Sequence, residues 1–211
     1  MKKVILHLCA SKAGSDSFIW KQEGYNVIKV TEDIGVENFS YDGEVYGIIA
    51  NPPCTEFSTA RADGKARNPN EGMFLVEHCL RIIEECNPKF WALENPARGD
   101  LRKYLGDPVM KYQPWHYGSP WTKETALWGK FNVPERKYTK WEDVPKNENL
   151  YVRPSRQKPS LAFMHKSAIH IIPEFAPFID HVNDDMSFRS LCSQNFAKAF
   201  FEANKIDTPT S

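Results

Sequence analysis

The chain has 211 residues, of which 41% are hydrophobic, 13% aromatic and 26% charged. That is enough apolar material for one substantial core, so a single domain spanning 1–211 is expected. Lys plus Arg and Asp plus Glu both number 27, which excludes a histone-like binder held by bulk charge and leaves nucleic-acid contact to local patches.

Cys9, Cys54, Cys79, Cys86 and Cys192 form no CxxC pair and have no metal-ligand spacing, so neither a disulfide framework nor a zinc knuckle is expected. The six histidines do not cluster, so no metal is predicted. The longest apolar run, around residues 46–53, falls far short of the roughly 20 residues that cross a bilayer. The Met-Lys-Lys start leads directly into a strand-like segment, so a cytoplasmic protein without membrane contact is expected.

In chain order, residues 3–8 (KVILHL) read as a strand and 9–17 (CASKAGSDS) as a small polar loop. Residues 18–23 read as a short helix closed by Gly24, a residue suited to a left-handed cap. Residues 25–31 form a second strand, and 45–50 (VYGIIA) a third, apolar throughout as in a strand buried on both faces. Residues 71–86 carry apolar positions at helical spacing until Asn87-Pro88 stops them, and 89–93 (KFWAL) is the next strand. This alternation predicts an α/β fold with a mostly parallel sheet flanked by helices, its ligand site along the carboxyl edge where the polar clusters converge.

The second half is less regular. Residues 111–131 hold Tyr112, Trp115, Tyr117, Trp121 and Trp128, and Trp115, Trp121 and Trp128 are weighed evenly between stacking platforms and core. Between 130 and 166 nine basic residues face four acidic ones, so a basic arm is hidden in the neutral average; 174–185 offsets it with four acidic residues and no Lys or Arg. Residues 132–187 read as an irregular basic and acidic insertion, and 193–204 as a closing helix.

Two stretches carry chemistry. In Asn51-Pro52-Pro53-Cys54-Thr55-Glu56-Phe57-Ser58, two prolines end a buried strand and hold the following thiol rigidly at the sheet edge. A thiolate is the strongest nucleophile available near neutral pH, and a nearby cation such as Arg61 or Arg67 is expected to lower its pKa. Glu94-Asn95-Pro96 follows an apolar strand, where desolvation raises the pKa of Glu94 and lets it share or donate a proton.

The PPCxxFS stretch, and an ENx stretch some 40 residues on, resemble the fourth and sixth motifs of the DNA (cytosine-5) methyltransferases. Residues 6–17 occupy the place of the family's cofactor loop; 117–129 (YGSPWTKETALWG) are similar to its eighth motif, and 193–204 to the closing helix of small phage-type members. The resemblance covers most of the chain and is weakest at 135–185, where other members carry a larger target-recognition domain.

The resemblance implies a Rossmann-like class I methyltransferase fold and transfer of a methyl group from S-adenosylmethionine to cytosine C5, with Cys54, Glu94 and Lys123 as catalytic residues. It implies cofactor contacts from Cys9, Ala10, Ser11, Gly14, Ser15, Asp16, Glu32, Asp33, Asn51, Pro53 and Asn195, the acidic pair after the second strand meeting the ribose. The loop 58–72 is a candidate lid, with Ser58, Arg61, Arg67 and Thr125 as DNA contacts. The partner would be DNA, either a duplex with a flipped cytosine or a single strand, bound by a monomer acting in a host cytoplasm.

Lys12 suggests carboxymethyl transfer from a carboxylated donor as one alternative, although a lysine pointing to solvent is the stronger expectation. Amino-methylation at adenine N6 or cytosine N4 is another, because Asn51-Pro52-Pro53 also resembles that group's motif; a catalytically idle DNA-binding module is the third.

Overall fold

The computed structural model describes residues 2–58 and 67–206. Six strands, β1 (Val4–Leu8), β2 (Asn26–Val30), β3 (Gly47–Ala50), β4 (Phe90–Pro96), β5 (Met110–Tyr112) and β6 (Thr125–Lys130), form one sheet in the order β2-β1-β3-β4-β6-β5. β2, β1, β3 and β4 pair in parallel, with Leu6 opposite both Ile28 and Ile48, and Ile48 opposite Trp91. β6 runs antiparallel to both β4 and β5. The strand order reverses between β1 and β3, which places a crevice at their carboxyl ends.

The predicted helices are α1 (Phe18–Gln22), α2 (Pro69–Cys86) and α5 (Gln194–Asn204); α3 (Arg102–Leu105) and α4 (Asp185–Ser190) are short additions. Gly24 closes the first turn region at φ +85° and Asn87 caps α2 at φ +42°, its N–H bonding the Ile83 carbonyl. α2 starts two residues earlier than the pattern of apolar side chains indicates. Pro69 sits in its first turn, where a missing N–H costs nothing.

Strand alternation divides the core. Leu6, Leu8, Ile48, Ala50 and Leu93 face α2 with Val76, Cys79 and Ile82. Ile5, Ile49, Phe90 and Ala92 face α1 and α5, where Trp20 stacks on Phe90 at 5.0 Å and meets Phe201 edge-on at 4.9 Å.

β4 continues past the expected end of its apolar run. Glu94, Asn95 and Pro96 pair with Leu127, Ala126 and Thr125 of β6, so the loop expected after Leu93 is strand. The approach of β6 needs Gly129: a Cβ there would lie 2.1 Å from the Trp91 carbonyl oxygen.

Residues 132–187 contain 3-10 turns, the start of α4 and no strand of the sheet. They bury a third cluster, in which Leu161, Met164, Phe175, Phe178 and Phe188 surround Trp121. No helix among the described residues is long and apolar enough to cross a membrane.

Candidate active site

The ends of β1, β3 and β4 open into one cleft of about 1100 Å³. Its floor carries His7, Asp16, Asn51, Cys54 and Glu94, and its far wall carries Lys123 and residues of 156–163. The polar residues that follow β1, β3 and β4 therefore converge, and the pair that follows β2 does not.

Cys54 is half-buried at the end of the double-proline turn, with the Phe57 and Ser58 amides bonding back to its carbonyl. Asn95 Nδ2 donates to the Pro52 carbonyl at 3.1 Å, tying that turn to the neighbouring strand. Burial raises the Cys54 pKa, the Glu94 charge raises it further, and Lys123 opposes both. The thiol is thus less acidic than the sequence suggests.

The cation that acts on Cys54 is also a different one. Arg67 is turned away into an ion pair with Asp100 at 2.6 Å and does not line the cleft, while Arg61 lies outside the described residues, as does most of the candidate lid. Lys123 Nζ donates to the carbonyls of Ser190 (3.2 Å) and Leu191 (3.1 Å), which fixes the ammonium at the cleft.

Glu94 has a pKa raised first by burial and then by Asp16, with Lys123 and a hydrogen bond from Asn51 acting the other way. Asn51 organises this floor. Its Nδ2 donates to Asp16 Oδ1 (3.1 Å) and more weakly to Glu94 Oε2 (3.4 Å). With the amide nitrogen turned to two carboxylates, Oδ1 faces His7 Nε2 at 2.9 Å and can only accept. His7 therefore carries its proton on Nε2, and Nδ1 accepts from the Ser17 hydroxyl at 2.8 Å. Burial lowers the His7 pKa, in keeping with this neutral tautomer.

Of the other cofactor candidates, Cys9, Ser11 and Pro53 line the cleft. Cys9 adopts φ +51° and lies 3.7 Å, sulfur to sulfur, from Cys79. Ala10 is buried, its N–H on the Val30 carbonyl. Ser15 is buried one layer behind: its Oγ accepts from the Cys192 amide at 2.9 Å and donates to Asp16 Oδ2. Gly14 is required by φ +60° and by Lys29, whose side chain fills the space a Cβ would take.

Glu32 and Asp33 are exposed and outside the cleft lining, and Asn195 bonds Ser119 Oγ at 3.1 Å, also outside it. Ser58 lines the cleft; Thr125 is buried in β6 with its hydroxyl on the Lys123 carbonyl. Lys12 is exposed and does not line the cleft, so nothing in its placement favours a carboxylated donor.

Trp121 and Trp128 are core residues, their indole N–H groups bonded to Glu174 and to the Gly106 carbonyl; Trp115 alone of the three is partly exposed. Sequence reasoning missed His7, Asn95 and the 156–163 wall. The visible signals were a histidine inside an apolar strand and, for the wall, the basic arm between 130 and 166.

The sheet order, with its single antiparallel strand, is a Rossmann-like α/β arrangement flanked by helices. Residues 19–98, a segment that holds both Cys54 and Glu94, match the family model described as C-5 cytosine-specific DNA methylase. No curated protein matches.

Among solved structures, the chain is similar to a protein described as a DNA modification methyltransferase encoded within a prophage (E. coli). The identity is 16% and the TM-score 0.45, over 76% of this chain and 53% of that one. It is also similar to a triple mutant of Spodoptera frugiperda DNMT2, at 14% identity and TM-score 0.32, over 75% of this chain and 57% of that one. The chain spans little more than half the length of either.

Proposed function

We propose that the protein methylates C5 of cytosine in DNA, with S-adenosylmethionine as the donor, through a bond between Cys54 and C6 of the base. The observation that carries this reading is that one cleft presents Cys54 and Glu94 from the ends of two adjacent parallel strands.

Cytosine C5 is a poor nucleophile until a thiolate adds at C6 and makes it enamine-like. Glu94, whose proton affinity is raised by burial, supplies the hydrogen-bonding partner for N3 and the exocyclic amine, where charge develops. The two groups reinforce each other. The Glu94 charge raises the Cys54 pKa, so when that charge is offset by a proton shared with N3, the thiol ionises more readily. The sulfur proton goes to solvent water, and Glu94 gives its own proton to N3 and takes it back when the S–C6 bond breaks. The methyl group would come to C5 as its bond to the donor's sulfonium breaks, leaving a neutral thioether; water then takes the C5 proton, and cleavage of the S–C6 bond returns the thiolate and restores the aromatic ring. Lys123 favours both anions.

The donor carries a sulfonium and an ammonium, and the cleft offers the Asp16 carboxylate beside Ser11 and Asn51. These residues fit its cationic parts and would hold it, and its contribution is an electrophilic methyl group. The cleft volume is ample for a base and a donor together. A duplex cytosine must be flipped out to reach Cys54.

The test is an oligonucleotide with 5-fluorocytosine, whose fluorine cannot leave as the C5 proton does. With S-adenosylmethionine present, intact-mass analysis should show protein plus oligonucleotide for the native chain and free protein for Cys54→Ser. Methylation that persists in Cys54→Ser, on an amino nitrogen, would overturn the reading.

A further inference from the structure

The basic arm finds its use in the wall that faces Cys54. Residues 150–164 contain Arg153, Arg156 and Lys158 and no carboxylate. Arg156, Lys158 and Phe163 line the cleft. The guanidinium carbons of Arg153 and Arg156 lie 4.8 and 4.9 Å from the centre of the same Phe163 ring. Lys158 Nζ sits 5.0 Å from the Trp115 ring and 5.2 Å from the Trp141 ring.

The other cations at the cleft are already engaged: Arg98 with Glu124, Arg189 with Asp185 and Lys123 with two carbonyls. Arg153, Arg156 and Lys158 have no ion pair among the described residues. Two like charges drawn to one ring without a counter-ion leave a repulsion that an anion between them would relieve. Burial first, and then the charges of Arg136 and Lys158, hold His116 down at about 4.

The wall is anchored to the catalytic loop. Thr122 donates from its amide and its hydroxyl to the Pro159 carbonyl (2.9 and 3.0 Å), and the Leu161 amide donates to the Thr122 carbonyl (3.1 Å). Lys123 follows directly.

We propose that this wall grips the phosphodiester backbone of the DNA strand whose cytosine enters the cleft, with Arg153 and Arg156 clamping phosphate oxygens across Phe163 and Lys158 taking a further phosphate. It rests on the function proposed above and deepens it. The wall positions the strand by charge and reads no base edges, so affinity depends strongly on salt and weakly on sequence.

The test uses a fluorescein-labelled 20-nucleotide strand, single and as a duplex, in anisotropy titrations against full-length Cys54→Ser across a salt series. Adding Arg153→Ala, Arg156→Ala and Lys158→Ala together should weaken binding by about tenfold or more near 0.1 M salt and flatten the log–log salt slope by about 2. Lys198→Ala, on the exposed face of α5, should change neither. If the triple-alanine chain is unfolded by circular dichroism, Arg153→Lys with Arg156→Lys decides: the slope is kept and affinity falls, because the planar fork is lost.

Unchanged affinity and slope in the alanine variant, or in the lysine variant where that one decides, would overturn the proposal. So would an absence of binding to either probe by the parent chain. Wall-dependent binding without cytosine methylation would instead retain the wall and remove the proposed function.

Discussion

The strand-end half of the site and the wall that faces it are built on different principles. Asn51, Cys54 and Glu94 each follow or end a buried parallel strand, so their meeting is fixed once the sheet forms. The wall is irregular backbone that ends in the 3-10 turn Leu161–Phe163, held by the Thr122 bonds and by the cluster around Trp121. Sheet pairing places the first group, whereas a few backbone bonds at Thr122 together with side-chain packing place the second. Changes in the first half should therefore abolish reaction while leaving binding, and changes in the second should do the reverse.

The sharpest break of that contrast is Cys54→Ser, expected to lower turnover by on the order of 10³-fold or more while DNA affinity stays near that of the native chain. Base-resolution readout of modified cytosine, beside the anisotropy titration, checks both halves. Loss of DNA affinity in this variant would show that the two regions are not separable.

Next is a pair of buried indoles, Trp121 in the cluster behind the wall and Trp20 between the sheet and helices α1 and α5. Trp121→Ala should cost about 3–5 kcal/mol in denaturant unfolding, because a fully buried ring packed at 5.5 Å from Phe175 leaves a cavity. Replacement by phenylalanine separates the regions further. Trp121→Phe also discards the N–H bond to Glu174, whereas Trp20→Phe discards none, because the Trp20 N–H is buried without a partner. The Trp121 substitution should be the more damaging of the two, and should weaken DNA binding as the wall loosens.

The same contrast explains what was legible beforehand. Apolar runs at residues 3–8, 25–31, 45–50 and 89–93 announce a parallel sheet because each signal is local, and the polar residues after them follow from its geometry. β5 and β6 gave no such signal. β6 is specified by its antiparallel partner β4 and by the close approach at Gly129, neither of which is a property of its own window. Arg67 and Lys123 illustrate the limit for charges. Proximity in sequence favoured the arginine, and an ion pair to Asp100 removes it from the site. Trp121 and Trp128 sit among aromatics spaced as stacking platforms are, yet both are committed to the core by N–H partners 53 and 22 positions away.

His7 tests whether the floor depends on one hydrogen bond. Glutamine can place an amide N–H near the position of Nε2 and keep the donation to Asn51 Oδ1; asparagine reaches only the Ser17 side. His7→Gln should thus retain most of the turnover, and His7→Asn should lose about tenfold in kcat with KM for DNA unchanged. Equal losses in the two variants, matched by equal losses in melting temperature, would reduce His7 to a packing residue.

The smallest effect is a displacement of a pH profile, and its sign is fixed by the charges around Cys54. The Glu94 carboxylate raises the Cys54 pKa, so Glu94→Gln removes a negative charge and moves iodoacetamide alkylation of Cys54 to lower pH. Lys123 lowers the same pKa, so Lys123→Met moves alkylation to higher pH. Burial, the largest contribution, is untouched in both, and for that reason neither variant should bring the thiol down to the range of a freely ionised nucleophile. Mass-spectrometric alkylation rates at Cys54 across pH 6–10, in a background with the other cysteines replaced by alanine, give the direction in which each profile moves. Opposite displacements confirm that the carboxylate and the ammonium act on the sulfur from the same cleft. Displacements of the same sign would mean that the thiol answers to a rearranged floor rather than to either charge, and the cooperation of Glu94 with Cys54 would lose its electrostatic basis.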